Sequence, residues 1–599
     1  MCGIAGYVGD GNATERLFEM LKRLEYRGYD SAGVALVDEG ITIFKDKGRV
    51  DEVRKKAKTN NATSGIGHSR WATHGEPSQY NAHPHSDCKQ TIAVVHNGII
   101  ENYSELRDGL RKRGHRFSSE TDSEVIAHLI EEGVDKGKTF EEAFVGALKK
   151  FDGSYAISAI YSKEPEKILI ARNESPLIVG IGEGENFVAS DIPAILQETR
   201  RCLILEDLEY GIVEKDKVVI KDLRNGKEIV RGALDIDIDV ESAEKEGHEH
   251  FMLKEILEES AAVKNVMRSL SEVRKAADII RKSDKIYFVA CGTAYHAALG
   301  ARYLLQEYGI LSHAEVASEF RYSTVKGIDK DTVLILVSQS GETADTLAAA
   351  KEAKKKGAKI ISVVNVVGST LTRISDAVLY TYSGPEIAVA STKAYLGQLT
   401  LLILLSLEVL KKKGKVSKKE FDKLMDELKS VPQKIDVILD NRERIKEISK
   451  SLILVNDYFY IARRLNFPTA LEGALKLKEI SYLHAEAYPA GELKHGPLAL
   501  MEEKVCVIAI NPSDALHQKM SSNIQEVRAR KAKLLELHED KTFTVKNGAD
   551  VRITVPATNP ILSPLVFIVP LHLLAYYIAV EKGLDIDKPR NLAKSVTVE

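Results

Sequence analysis

The sequence predicts a multidomain α/β protein in which one α/β domain precedes two related, doubly wound α/β domains. Three observations carry that expectation. Up to about residue 240, short β-rich runs at 3–8, 32–37, 91–95, 155–161 and 167–171 alternate with Gly-rich turns and with amphipathic helical patterns at 14–24 and 123–132, the second of which Asp122 is placed to cap. From about residue 283 the pattern becomes strand, loop and long Ala/Leu helix. Its continuous apolar runs at 286–290, 333–337 and 360–364 suit parallel strands buried on both faces. Finally, His313-Ala314-Glu315 followed by Ser318-Glu319-Phe320-Arg321 recurs as His484-Ala485-Glu486 followed by Gly491-Glu492-Leu493-Lys494. Each copy follows an apolar strand, a short turn and a long helix, so the second half reads as an internal duplication.

Length agrees with this division, because 599 residues exceed what one hydrophobic core serves. The expected boundaries are 1–240, a linker with a linking helix at 241–282, domains at 283–430 and 450–590, and a tail at 591–599 that closes a site. The segment 241–250 is charged, contains Gly and is poor in apolar residues, as a linker is. The basic run 411–419 reads as a solvated helix end. The segment 561–580 is apolar and long enough to span a bilayer, but it contains Ser563, Pro564, Pro570 and His572 and has no second spanning companion; a strand followed by a buried helix is expected.

Composition narrows the function. Hydrophobic content of 44% and charged content of 29% are those of a globular protein. Lys plus Arg total 84 against 87 Asp plus Glu, which leaves no broad basic field for nucleic acid or anionic lipid. The N-terminal segment lacks the basic start of a signal peptide. Cys2, Cys88, Cys202, Cys291 and Cys506 are scattered, with no CxxC pair, so neither a disulfide framework nor a structural zinc site is expected. A reduced, cytoplasmic enzyme is the expectation.

Cys2 follows the initiator Met1, and trimming of the methionine would make it the terminal residue. A terminal cysteine carries an α-amine with a pKa of about 7.7–8.0, able to act as base for its own thiol. Gly67-His68-Ser69-Arg70-Trp71-Ala72-Thr73-His74-Gly75 gathers a guanidinium, an indole and hydroxyls between glycine turns, and Trp71 is the only tryptophan. His96-Asn97-Gly98 follows the 91–95 strand, and an Asn amide beside a Gly N–H suits a tetrahedral oxyanion. Arg70 for a carboxylate and Asp122 for an ammonium are what recognition of a free amino acid requires. His74, His83 and His85 do not suggest a metal, because His83-Pro84-His85 is awkward for chelation.

These blocks, with Cys2-Gly3-Ile4 and Leu24-Glu25-Tyr26-Arg27-Gly28-Tyr29-Asp30-Ser31-Ala32-Gly33, resemble the glutaminase domain of amidotransferases with an N-terminal nucleophile, in particular the glutamine:fructose-6-phosphate amidotransferase family. The resemblance implies an α/β/β/α sandwich. It implies Cys2 as nucleophile, Asn97 and Gly98 as oxyanion hole, and glutamine binding by Arg70, Trp71, Thr73, His74 and Asp122. Trp71 resembles the family's gate on an internal ammonia channel.

In the second half, the run 333–337 leads into Ser338-Gln339-Ser340-Gly341-Glu342-Thr343 and a helix, a natural anion cradle of backbone N–H groups and hydroxyls. It reads equally as a capped strand-to-helix turn. Cys291-Gly292-Thr293 closes an earlier strand and could add donors. Glu472, Lys476 and Glu479 share one face of a helix at 470–480, where a surface ion-pair stripe is the competing reading. Tyr488 to Pro497 sets His495 between Gly and Pro, and the tail from Arg590 ends without a polar fray, as a tucked-in segment does. These blocks, together with Ala390-Ser391-Thr392-Lys393-Ala394, resemble the same family, whose C-terminal half is a pair of sugar-isomerase domains. By that resemblance Thr293, Ser338, Gln339, Ser340, Thr343 and Ser391 hold a sugar phosphate. Glu479 moves a proton between C1 and C2, His495 assists ring opening, Lys594 forms an imine with the ketose, and Lys476 sits close by. Ala294 departs from the family's usual Ser after Cys-Gly-Thr, and Ser260 stands where a linker-helix Pro is frequent.

The implied activity is amination and isomerisation of D-fructose 6-phosphate to D-glucosamine 6-phosphate with L-glutamine as donor, the first step of amino-sugar synthesis. No cofactor, metal, nucleic acid or membrane is implied, and a homodimer is the family precedent. The alternatives are a sugar-phosphate-binding regulator, which would need none of Glu479, His495 and Lys594, and a deglycase, which would dispense with Cys2 and the Arg70–Gly75 block.

Overall fold

The computed structural model describes residues 2–58, 61–72, 75–236, 245–540 and 549–597. The chain forms two compact units, Met1–Ala243 with Ala593–Glu599, and Glu244–Leu592.

The first unit stacks two antiparallel sheets. One has eight strands in the order Leu234–Asp235, Arg201–Ile204, Ile178–Ile181, Glu185–Ala189, Gly3–Gly9, Ser64–Arg70, Ser31–Val37, Ile41–Lys47; the other has seven and is centred on Ile92–Ile100 and Gly153–Tyr161. Period-2 alternation explains the layering. In the first strand Ile4 and Val8 join the core between the sheets, whereas Ala5 and Tyr7 face the helix Ala13–Leu24. In the second sheet Ala93 and Val95 turn inward, and Ile92 and Val94 pack beneath Glu124–Asp135 and Phe140–Leu148. Both faces of each sheet are therefore apolar and covered, giving an α/β/β/α sandwich.

The second unit contains two all-parallel five-stranded sheets. The first runs His313–Val316, Lys285–Ala290, Thr332–Ser338, Lys359–Val364, Ala377–Tyr380; the second runs His484–Pro489, Asp457–Ala462, Val505–Asn511, Lys533–Glu539, Val551–Val555. Both have strand order 2-1-3-4-5. The duplicated His-Ala-Glu occupies the same place in each, with His313 opposite Tyr287 and His484 opposite Asp457. In this order the chain switches direction between strands 1 and 3, and the crevice beyond their carboxyl ends is where such sheets bind ligands.

Three expectations change. The 91–95 strand extends to Ile100, carrying Asn97 and Gly98 within it, because pairing with Gly153–Tyr161 continues through Ile100. Asp122 does not cap the following helix: its carboxylate accepts the Ile100 N–H (2.8 Å) and the Ser123 hydroxyl (3.2 Å), and Ser123 is the cap residue. The 561–580 segment is one helix, Ser563–Glu581, with no strand in it; Pro564 sits in its first turn, and the helix is buried from Ser563 to Ala579. A second helix of membrane-spanning length, Lys393–Lys412, is likewise buried in the core.

Within 241–282, residues 241–244 lie outside those described. The helices Phe251–Leu257, Glu259–Asn265 and Leu270–Ile280 contribute Met252, Ile256, Val263, Val273, Ala276, Ala277 and Ile280 to the second unit's main core. The tail divides: the Arg590 N–H donates to the Tyr482 hydroxyl (2.8 Å) within the second unit, whereas Ala593–Glu599 groups with the first.

Candidate active sites

Cys2 sits at the start of the Gly3–Gly9 strand, held from three sides. The Trp71 N–H donates to its sulfur (3.3 Å), and its own carbonyl accepts from Asn97 Nδ2 (3.0 Å) and Arg27 Nε (3.3 Å). The orientation of Asn97 is fixed from behind, because the buried His68 contacts its Oδ1 through Nε2 (2.9 Å). Burial, with the charges of Arg70 and His96, depresses the His68 pKa to about 3. The ring is therefore neutral; because the Cys2 carbonyl can only accept, Asn97 turns Nδ2 to it and Oδ1 to His68, whose Nε2 then carries the proton. Gly98 follows at φ +124°; a Cβ there would lie 2.1 Å from the Ser154 carbonyl, so only glycine fits.

Burial pushes the Cys2 thiol above its ordinary pKa, partly opposed by the Trp71 N–H and by Arg70 and Arg27. At neutral pH it is a thiol, and attack requires a neighbouring base. Arg70 closes the Ser64–Arg70 strand. Burial lowers its pKa, and the charges that oppose this are those of Cys2, Asp122 and Asp30, so a cation and carboxylates face one another beside the sulfur. Asp30 accepts the Ala72 N–H (2.8 Å), bracing the loop after Trp71, and Arg27 is anchored by Asp191 (2.6 Å). Thr73 and His74 lie outside the described residues. His83 and His85 belong to a buried histidine stack: His83 lies against His68 with ring centroids 4.2 Å apart, and His85 Nε2 meets the Thr121 hydroxyl at 3.0 Å.

In the second unit, Ser338 ends strand 3 of the first parallel sheet at the switch point. Its hydroxyl accepts the Gly341 N–H (3.0 Å) and pairs with the Thr343 hydroxyl (2.9 Å), and the Ser340 hydroxyl accepts the Glu342 N–H (3.2 Å). Gly341 has φ +66°, and a Cβ would meet Ser369 Oγ at 2.1 Å. The turn thus brings Ser338, Gln339, Ser340 and Thr343 together immediately before the helix Ala344–Lys355, at the helix end that suits an anion. Strand 1 of the same sheet ends beside it, placing Thr293 in the first turn of Gly292–Glu307.

From Thr293 a buried network crosses to the second repeat. The Thr293 hydroxyl bonds Glu472 (3.0 Å) and accepts from Lys476 Nζ (3.0 Å); His296 Nδ1 meets Glu472 at 2.7 Å; and Lys476 also pairs with Glu472 (3.3 Å) and Glu479 (2.5 Å). Glu472 and Lys476 are wholly buried, so the stripe is not a surface feature. Burial alone would raise the Glu472 pKa, but Lys476 and His296 outweigh it and hold it at about 2. Burial would lower that of Lys476, but Glu472 and Glu479 outweigh it and raise the value. Both groups therefore stay ionised at neutral pH.

The remaining expected residues are more dispersed. The Ser391 hydroxyl donates to Glu386 (2.8 Å), which also accepts the N–H groups of Thr392 and Ala394 at the start of Lys393–Lys412. His495 is exposed at the end of the short helix Ala490–His495, and Lys594 lies in the tail segment that groups with the first unit. Sequence reasoning missed His68, Asp191, His296 and the bracing roles of Arg27 and Asp30. Arg27 and Asp30 stood in a quoted motif, and His68 lies two residues before Arg70; Asp191 and His296 carried no local signal.

A glutamine amidotransferase domain model matches residues 68–197, and a SIS domain model matches residues 279–407 and 452–582. The chain is 51% identical over 604 aligned residues to the glutamine–fructose-6-phosphate aminotransferase (isomerizing) of Thermococcus kodakarensis, covering all of both chains. The chain belongs to this family. The enzyme of the same name from Caldanaerobacter subterraneus is 49% identical, again over the whole of both chains. Among solved structures, the C-terminal domain of glucosamine-fructose-6-phosphate aminotransferase from Francisella tularensis matches 57% of this chain and 99% of its own at 38% identity and a TM-score of 0.55. The family thus unites both units and both parallel sheets in one polypeptide.

Two outcomes follow from this geometry. Asn97→Ala removes a donor beside the sulfur and should lower kcat for glutamine hydrolysis about 10²–10³-fold with a smaller change in KM, read by glutamate release. Lys476→Met leaves Glu472 buried without its main cation and should destabilise the second unit by about 3–5 kcal/mol, seen as a lower melting temperature. Because Lys476 holds the Glu472 pKa down, this difference should be present at neutral pH and shrink as pH falls toward the depressed value of about 2.

Proposed function

We propose that this chain is a two-site enzyme that takes the side-chain nitrogen of L-glutamine and converts D-fructose 6-phosphate to D-glucosamine 6-phosphate, releasing L-glutamate. The observation that carries the reading is the presence, in one chain, of a clamped Cys2 beside Asn97, Gly98 and Arg70 and of a hydroxyl-lined anion turn with a Glu479–Lys476 salt bridge.

Glutamine sits with its α-carboxylate on Arg70 and its α-ammonium on Asp122, and Trp71, Thr73 and His74 are further glutamine-binding residues. With Met1 removed, the α-amine of Cys2 takes the thiol proton as sulfur attacks the side-chain amide carbon. The oxygen gathers charge facing Asn97 Nδ2 and the Gly98 N–H. Collapse returns that proton to the departing nitrogen, and ammonia leaves a thioester on Cys2. Water then attacks the thioester, restoring the thiol and releasing glutamate.

The sugar phosphate lies on Ser338, Gln339, Ser340 and Thr343, with Thr293 and Ser391 as further donors. His495 assists ring opening, Lys594 forms an imine at C2 with loss of the carbonyl oxygen as water, and ammonia then displaces the lysine amine to leave an imine at C2. Glu479 removes a proton from C1 and returns it at C2, carrying the ketose to the aldose. Lys476, kept as an ammonium by two carboxylates, orients Glu479 and is unsuited to be a base itself. Trp71 gates ammonia between the reactions, so that little is lost as ammonium. The scheme uses no nucleotide or redox cofactor, and we place the enzyme in the cytoplasm as a homodimer acting on small molecules, with neither nucleic acid nor membrane as partner.

Glutamate and amino sugar assayed separately test this reading. Cys2→Ala should abolish glutamine hydrolysis and glutamine-dependent synthesis together, whereas Glu479→Gln should stop amino-sugar formation and leave glutamate release measurable. Hydrolysis at the wild-type rate in the first variant, or undiminished amino sugar in the second, contradicts the assignment.

A further inference from the structure

The first unit holds a second constellation of chemically active side chains that the proposed reaction does not use. Cys88, in the turn before Ile92–Ile100, meets His115 Nδ1 at 3.8 Å and His128 Nδ1 at 3.6 Å; Glu131 Oε2 meets the same two nitrogens at 3.0 and 3.3 Å. The four donor atoms all lie within 4.8 Å of one another. His115 follows the helix Tyr103–Lys112, and His128 and Glu131 lie three apart on one face of Glu124–Asp135. We propose that Cys88, His115, His128 and Glu131 form a structural zinc site.

Distances, donor chemistry and surroundings agree. Bonds of about 2.3 Å to sulfur and about 2.0–2.1 Å to nitrogen and oxygen, at tetrahedral angles, put S···N edges near 3.6 Å and N···O edges near 3.3 Å. The observed edges of 3.6–3.8 Å and 3.0–3.3 Å bracket these values. A thiolate, a carboxylate and two neutral imidazoles sum to −2, matching a divalent cation, and the mixed S/N/O set suits zinc better than Ca²⁺ or Mg²⁺. Each histidine turns Nδ1 to the centre and Nε2 toward a carboxylate, Glu132 for His115 and Glu124 for His128, both at 3.7 Å. These approaches are longer than a hydrogen bond, but they put a carboxylate on the side where metal-bound histidines place their outer partner. The Cys88 N–H donates to Glu131 (3.3 Å) and the Arg116 N–H to the Cys88 sulfur (3.5 Å), so the donors are held in place by backbone. His128 and Glu131 are buried, while Cys88 is exposed and leaves a path for the ion to enter.

Four protein donors leave no open position, so the ion's role is to tie elements together. It joins the turn at Cys88 to both ends of the segment 116–123, which carries Asp122. If Asp122 binds glutamine as proposed above, the zinc holds the glutamine site's acidic wall in place.

Full-length protein carrying no histidine tag, purified with added Zn²⁺ and freed of loose metal by gel filtration, tests the assignment by elemental analysis. The expected result is about one zinc per chain, at least fivefold less in Cys88→Ser and in His128→Gln, with Cys88→Ser still folded because its side chain is exposed. Co²⁺ added to chelator-stripped protein should give a thiolate-to-cobalt absorption band that Cys88→Ser lacks. Stripped protein should also melt lower and recover with Zn²⁺ alone. Wild-type protein that holds no stoichiometric zinc and gives no cobalt band, or zinc retained undiminished in both variants, would overturn the proposal. These readouts involve neither glutamine nor sugar, so they stand apart from the proposed reaction.

Discussion

The carbonyl of Cys2, gripped by Asn97 and Arg27 while Trp71 grips the sulfur, is the constraint on which the first unit depends. The second residue of a chain is ordinarily among its least ordered, and a nucleophile cannot work from a fraying end. The sandwich supplies the remedy. The strand that begins at Gly3 is central in its sheet, paired on both sides, and Asn97 comes from the facing sheet. The Cys2 carbonyl takes the Nδ2 end of the Asn97 amide, and neutral His68 meets the other end. A buried histidine with its pKa far below neutrality thus acts by geometry alone.

The second unit solves a different problem, that of keeping charge in a dry interior. Duplication sets the first helix of one repeat against its counterpart in the other, Gly292–Glu307 against Phe467–Ser481. Glu472 and Lys476 meet Thr293 and His296 across that seam. An isolated buried carboxylate would be costly, but a lysine, a histidine and a hydroxyl satisfy this one together. The consequence is a fixed ammonium that reaches Glu479, whose side chain is partly exposed. The anion turn at Ser338 stands at the sheet's switch point. The two devices sit one strand apart.

Much of this was legible in the sequence because the informative patterns are short-range. Apolar runs gave the parallel strands, and the His-Ala-Glu repeat mapped onto the same edge strand of each sheet. Failures have long-range causes. His96-Asn97-Gly98 is polar and glycine-containing, so the strand seemed to end at 95; pairing with Gly153–Tyr161 carries it on. Asp122 had the position of a cap, but the Ile100 N–H competes for its carboxylate across the domain. The charged lead-in at 241–250 marks a linker and the segment after it a linking helix; what short-range pattern does not show is that Met252, Ile256, Val263 and Val273 pack into the second unit's core. The Cys88 cluster escaped because its donors are separated by 26, 12 and 2 intervening residues; only His128 and Glu131 shared a readable helix spacing.

The central claim is that Cys2, with its own α-amine exposed by removal of Met1, is the atom that takes the glutamyl group. Acid quenching of protein turning over glutamine, followed by peptide mass spectrometry, examines it directly. The account predicts a glutamyl thioester on Cys2 in a peptide that begins with Cys2. A glutamyl group on any other residue, or full turnover by chains that retain Met1, would contradict it.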